Sequence, residues 1–163
     1  MKRIICFFLS PLLLTFSLCA CTAKPQDFSW QGLSITLTSN YEEKEITEKS
    51  AIYTSYKDLC VVEITFESFE DLILMEYDPE MSLEAYAQMA IADNELEAEV
   101  KTKDGVVYYN YTDKADKQEF TNMVTVHRCG DGYWLVRFAS LTQDYETAEA
   151  QFISFAKTVK SEN

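Results

Sequence analysis

The stretch GYWLVRFAS, residues 132–140, is apolar at both parities through Tyr133, Trp134, Leu135 and Val136. A strand with one wet face alternates between apolar and polar residues, whereas a strand buried on both faces does not. This run therefore predicts an interior strand of a sheet that is covered on both sides. Working outward, Phe120–Cys129 and Val106–Thr112 precede it as β-like runs, with Glu97–Thr102 before them. The four together read as an antiparallel meander. Asp104-Gly105 is a two-residue hairpin signal between two of them. Further upstream, Leu33–Leu37 alternates as a half-buried strand, and Ala51–Lys57 and Cys60–Glu67 form two more runs broken at Lys57-Asp58.

Helical spacing supplies the covers. Ser82 is placed to cap a helix carrying Leu83, Tyr86, Ala87, Ala90 and Ile91 on one stripe. Thr142 is placed to cap a second, with Tyr145, Ala148, Phe152, Phe155 and Ala156 facing inward. Its Asp144 and Glu146 at the start and Lys157 and Lys160 at the end suit the helix dipole. A short helical piece surrounds Phe69, Leu72 and Ile73. The chain has four glycines, Gly32, Gly105, Gly130 and Gly132, each at an expected turn. A phosphate-cradling loop needs several glycines between a strand and a helix, so P-loop and dinucleotide-binding enzymes are excluded.

The order is a hairpin opening FSWQGLSITLT, a strand pair, SLEAYAQMAI as helix, an acidic strand, DGVVYYNY, GYWLVRFAS and a C-terminal amphipathic helix. This pattern resembles small extracytoplasmic lipoproteins of the PsbP-like α/β/α sandwich class, named after an extrinsic photosystem subunit. It is similar to such lipoproteins of Gram-positive bacteria. The likeness covers about residues 28–160 and carries no diagnostic motif. It implies an α+β fold, an antiparallel sheet covered by helices on both faces, and a binding or assembly role that brings no catalytic residues across.

The N-terminus opens with Lys2 and Arg3 and continues apolar from Ile4 to Ala20. That is the pattern of an export signal over residues 1–20, and it falls short of the roughly 20 strongly apolar residues that span a bilayer. Leu18-Cys19-Ala20-Cys21 resembles the lipobox of bacterial lipoproteins. The resemblance implies a thioether-linked diacylglycerol on Cys21, bearing palmitate-type chains, with Cys19 discarded. Two acyl chains, at about 0.8 kcal/mol per buried methylene, anchor a protein stably. Residues 21–27 are then the lipidated N-terminus and a short tether, and residues 28–160 a single domain.

The full chain carries a formal charge of −13, and residues 21–163 keep 12 of 14 basic and all 27 acidic residues, a charge of −15. Nucleic acid is excluded as a partner, since it demands basic patches, and anionic lipid would repel such a domain. A solvated acidic surface accounts for the charge. Asp113, Asp116 and Glu119 come nearest to a calcium-loop spacing but lack its glycine.

His127 is the single histidine, and Cys129 shares its parity two residues on, so any Cys-His or Ser-His chemistry would have to use it. A structural histidine is the preferred reading. Structural zinc needs about four Cys or His ligands, and the domain offers Cys60, His127 and Cys129, so no metal and no cofactor is expected. Cys60 and Cys129 form either a disulfide, favoured in oxidising compartments, or two buried free thiols. Tyr108, Tyr109 and Tyr111 with Trp134 make either a carbohydrate-stacking platform or, preferably, buried sheet aromatics.

The expectation is thus a monomer on the extracytoplasmic face of the cell membrane, anchored in the bilayer through the acyl chains on Cys21. It acts as a non-catalytic binding or assembly module for an extracytoplasmic protein or ligand. The alternative is a carboxylate-dependent hydrolase acting on cell-envelope glycan, which requires two facing acids roughly 5–9 Å apart.

Overall fold

The structure, a computed structural model, describes residues 23–161. The expected signal peptide, residues 1–20, and the expected lipidation site, Cys21, lie outside the described residues. A seven-stranded antiparallel sheet dominates. Its strands are β3 (Glu42–Ile46), β4 (Ser50–Ser55), β5 (Cys60–Ser68), β6 (Val100–Lys103), β7 (Val106–Ala115), β8 (Gln118–Arg128) and β9 (Gly132–Leu141), in the order β3-β4-β5-β9-β8-β7-β6. A small second sheet consists of β1 (Pro25–Trp30), β2 (Leu33–Thr38) and β10 (Lys160–Ser161), with β2 central. The described residues also form three α-helices: α1 (Phe69–Leu74), α2 (Leu83–Asp93) and α3 (Tyr145–Ala156). Among the described residues no helix is long and apolar enough to cross a membrane.

The apolar run at 133–136 occupies the middle of the sheet. β9 pairs with β5 from Ser68↔Gly132 to Val61↔Ala139, and with β8 from Arg128↔Tyr133 to Phe120↔Leu141. Its parities divide between two cores. Trp134, Val136 and Phe138 pack with Leu33, Ile35 and Leu37 of β2 and with Phe152, Ile153 and Phe155 of α3. Tyr133 joins Leu72 of α1, Tyr86, Ala87 and Ala90 of α2, and Val107, Tyr109, Val124 and Val126 of the sheet.

The first face therefore differs from the expectation of a helical cover, because a β-hairpin shares it with α3. The cause lies in β2, where Leu33, Ile35 and Leu37 are buried in strict alternation with half-buried Ser34, Thr36 and Thr38. A strand with one apolar face must lay it on a core, and this one lies over the large sheet. β1 is held across from it, and Lys24 exchanges backbone and side-chain bonds with Ser39. Pro25, Gln26 and Asp27, expected as tether, are thus strand residues.

Turn chemistry sets the hairpin registers. At Gln31-Gly32 and Asp104-Gly105 both central residues have positive φ, as the right-handed strand twist requires of two-residue loops. Asp116-Lys117 does the same with φ of 50° and 70° and no glycine, so the β7–β8 hairpin runs on to Ala115↔Gln118, beyond its expected ends. Gly132 answers to a different constraint: a Cβ there would collide with the Glu67 carbonyl and the Phe66 ring on β5.

One further expectation changes, and two points open in the sequence are decided by pairing. Thr142 opens a 3-10 turn, Thr142–Asp144, rather than capping α3, and its hydroxyl accepts from Thr121 Oγ1 at 3.1 Å. Glu42–Ile46, a charged segment with no strand pattern, becomes an exposed edge strand because β4 supplies its pairing. Cys60 and Cys129 are both buried free thiols. Cys60 begins β5, whereas Cys129 hydrogen-bonds to Gly132, which pairs with Ser68 at the far end of that strand. Eight strand residues span about 26 Å, and a disulfide requires Cα atoms within about 7 Å, so the bridge is ruled out.

Candidate functional site

On the second face, α1 and α2 leave a cleft of about 640 Å³ over β5, β9, β8 and β7. Its walls are fixed by local chemistry. Ser68 caps α1 by accepting from Asp71 N at 3.0 Å, and Ser82 caps α2 by accepting from Ala85 N at 3.2 Å. The connection between the helices is pinned to β9, since the Tyr133 hydroxyl reaches the carbonyls of Met81 at 2.6 Å and Pro79 at 3.1 Å. Tyr86 of α2 stacks on Tyr133 with centroids 4.1 Å apart, while Ala87 and Ala90 let the helix approach the sheet closely.

At one end of the cleft, Arg137 of β9 stands directly opposite Glu63 of β5. Its Nε and Nη2 donate to Glu63 Oε2 at 2.8 and 2.7 Å, and Nη1 donates to Asn122 Oδ1 at 2.8 Å. Asn122 is fully buried, and its Nδ2 finds no partner among the described residues. At the other end, the Tyr86 hydroxyl donates to Glu67. Tyr109 and Tyr111 line the floor, with ring centroids 6.4 Å apart. Burial pushes the Tyr109 phenol up to about 12, with Tyr111 and Glu67 adding to the effect. Burial and the Glu67 carboxylate raise Tyr86 further. Tyr111 is also raised by burial, though Arg137 holds it back. All three remain neutral phenols in the physiological range.

Four carboxylates border the cleft, and each has a donor. Arg137 serves Glu63, Tyr86 serves Glu67, Ser68 serves Asp71 at 2.7 Å, and Tyr77 serves Asp93 at 2.6 Å. Glu63 and Glu67 are four strand residues apart, about 13 Å along the β5 backbone.

The residues singled out in the sequence are dispersed. His127 lies half-buried beside a second cleft of about 480 Å³, with Nε2 2.9 Å from Thr125 Oγ1, and desolvation lowers its pKa to about 4. The Cys129 thiol donates instead to Asp131 Oδ1 at 3.2 Å and to Gly132 O at 3.3 Å, so the two make no nucleophile–base pair. The tyrosine platform is split by the sheet: Tyr108 and Trp134 face the α3 side, Tyr109 and Tyr111 the α2 side. Asp113, Asp116 and Glu119 surround the β7–β8 turn, where Glu119 pairs loosely with Lys114 at 3.8 Å. Among the described residues no group of three or more His, Cys, Asp or Glu is arranged to hold a metal ion. The Arg137–Glu63–Asn122 network went unnoticed in the sequence. Its signal was there: one charge each in the interiors of CVVEITF and YWLVRFA.

No family model matches the chain, and no curated protein matches it in sequence. Solved structures do match. The Saccharomyces cerevisiae Ran-binding protein Mog1p aligns over 87% of this chain and 97% of its own, at 10% identity and a TM-score of 0.58. A Bacteroides thetaiotaomicron protein aligns over 81% of this chain at 13% identity and a TM-score of 0.54. The aligned region is 46% of that longer protein, about half its length. CyanoP, the PsbP of Synechocystis sp. PCC 6803, aligns over 86% of this chain and 94% of its own at 12% identity, with a TM-score of 0.49, too low to carry an argument. At these identities the likeness to Mog1p and to the Bacteroides protein is one of fold: a mainly antiparallel sheet with helices packed against it.

Proposed function

We propose that this chain is a lipid-anchored extracytoplasmic binding or assembly module, a PsbP-like α/β/α sandwich whose contact site is the cleft between α1, α2 and the sheet. The observation that carries the reading is the state of the cleft's four carboxylates. Each takes a hydrogen bond from a donor on the chain, which makes a preformed recognition surface. Mog1p, similar in fold, is a Ran-binding protein by name; that supports a binding role in kind, not a shared partner.

The anchor is Cys21, on the strength of Leu18-Cys19-Ala20-Cys21. Lys24 is already tied to Ser39, so two residues, Thr22 and Ala23, separate anchor from fold, a reach of about 10 Å. The domain then works against the outer surface of the membrane, and its acidic surface keeps it off anionic headgroups. Two measurements test the reading. Cys21→Ala should abolish incorporation of labelled fatty acid while Cys19→Ala should not; label retained in Cys21→Ala refutes the anchor. A photo-crosslinking amino acid at Met75, on the cleft rim, should trap a discrete partner in living cells, and one at Glu119 should not. Equal yields at both positions refute the cleft as the contact site.

A further inference from the structure

We infer that the occupant of the cleft is a basic, partly apolar segment of a partner protein, with a lysine or arginine side chain seated among Glu67, Asp71 and Asp93; this rests on the binding-module reading above. Charge is the first observation. Of the four cleft carboxylates only Glu63 is neutralised, by Arg137. Glu67, Asp71 and Asp93 take their hydrogen bonds from uncharged hydroxyls, and among the described residues no ion pair reaches any of them. Three negative charges therefore border one cavity without a counter-charge, and a cationic group entering it meets them beside the rings of Tyr109 and Tyr111, which also attract cations.

The second observation is independent of charge. Ile73, Leu74 and Met75 are consecutive, large and apolar, and they are 58%, 81% and 46% exposed at the end of α1. Met75 lines the cleft, and so does Met89 from α2. Isolated exposed apolar residues are ordinary, but a contiguous group at the mouth of a cavity marks a contact surface, and methionines adapt to varied partners. An occupant that uses both the acidic interior and the apolar flank is longer than a single side chain, which makes it a chain segment. The acidity of the domain argues against an anionic membrane as that occupant.

The test uses the full chain labelled with methyl-13C methionine. Met75 and Met89 report on the cleft, and Met123, fully buried in the other core, is the internal control. The probes are a twelve-residue peptide of alternating lysine and leucine and its glutamate–leucine counterpart. The lysine peptide should shift Met75 and Met89 and leave Met123 in place. Glu67→Gln/Asp71→Asn/Asp93→Asn should raise its Kd at least about tenfold. Glu42→Gln/Glu43→Gln/Glu45→Gln, which removes the same charge from exposed β3, should change it less than about twofold. Leu74→Ser, at a position 81% exposed, should weaken binding about threefold and serves if the cleft triple variant does not fold. Equal weakening by both triple variants overturns the proposal in favour of bulk charge attraction. Shifts with the glutamate peptide alone overturn the basic partner while leaving the cleft as a binding site. No shift with either peptide also overturns it, and the crosslinking at Met75 then reports separately on the binding-module reading.

Discussion

Replacing Arg137 by methionine removes three hydrogen bonds, two to Glu63 and one to Asn122, while the new side chain keeps an apolar stem opposite Val124 on β8. Charge-assisted bonds contribute about 1.5–3 kcal/mol each when fully buried. Here the two side chains are 30% and 25% exposed, and solvent screening brings each bond nearer to 1 kcal/mol. Loss of all three, with Glu63 left half-buried and unpaired and Asn122 without a donor to its Oδ1, sums to about 3 kcal/mol. Urea unfolding of the full chain at pH 7 should show that loss as a lower midpoint at unchanged slope. In heat the midpoint should drop by roughly 10 °C for a domain of this size. A double-mutant cycle with Glu63→Met isolates the pair. The double variant should be more stable than the sum of the single losses by about 1.5 kcal/mol, since it removes both charges together. A loss under about 0.5 kcal/mol for Arg137→Met, or zero coupling, would show a solvated surface contact and refute the idea that this network braces the cleft.

His127 should remain a neutral imidazole at pH 5, visible as a single untitrated histidine resonance. Its folded pKa of about 4 lies below the usual 6.5, so the unfolded chain binds the proton first; its contribution is full above pH 6.5 and is lost as pH falls toward 4. Comparison with His127→Gln should reveal roughly 2–3 kcal/mol of pH-dependent stability in that window, and a resonance titrating near 6.5 sinks the assignment. Gly132→Ala should destabilise by about 3 kcal/mol, the upper range for overpacking, because the clash is with the backbone of β5; a neutral result would mean that β9 slides freely against β5. Reductant should leave the melting temperature unchanged, and both Cys60 and Cys129 should react with a thiol reagent in denaturant without prior reduction; protection of either one would reinstate a bridge.

The residues from 132 to 140 determined by themselves that a sheet interior existed, since apolarity at both parities is a property of one strand and needs no knowledge of its neighbours. Ser82 and Asp104-Gly105 were equally legible, because a cap and a two-residue turn act within three or four residues of their own position. Thr142 misled for the complementary reason: its hydroxyl was claimed by Thr121, a partner that strand pairing brings close. The β-hairpin lying over the first face, the edge strand made from Glu42–Ile46 and the separation of Cys60 from Cys129 all depend on how elements stack and pair. Of the candidate site, the sequence exposed only its raw material, a charge in each of two apolar strands and several tyrosines on a third. Glu63 and Arg137 are 74 residues apart, and only the β5–β9 register sets them face to face, while Tyr86, Glu67 and Asp93 meet at one cleft only because α2 docks on that side of the sheet. Local periodicity reports which face of an element is apolar; the identity of the surface that covers it, and hence the cavity left between them, is decided by packing across the whole chain.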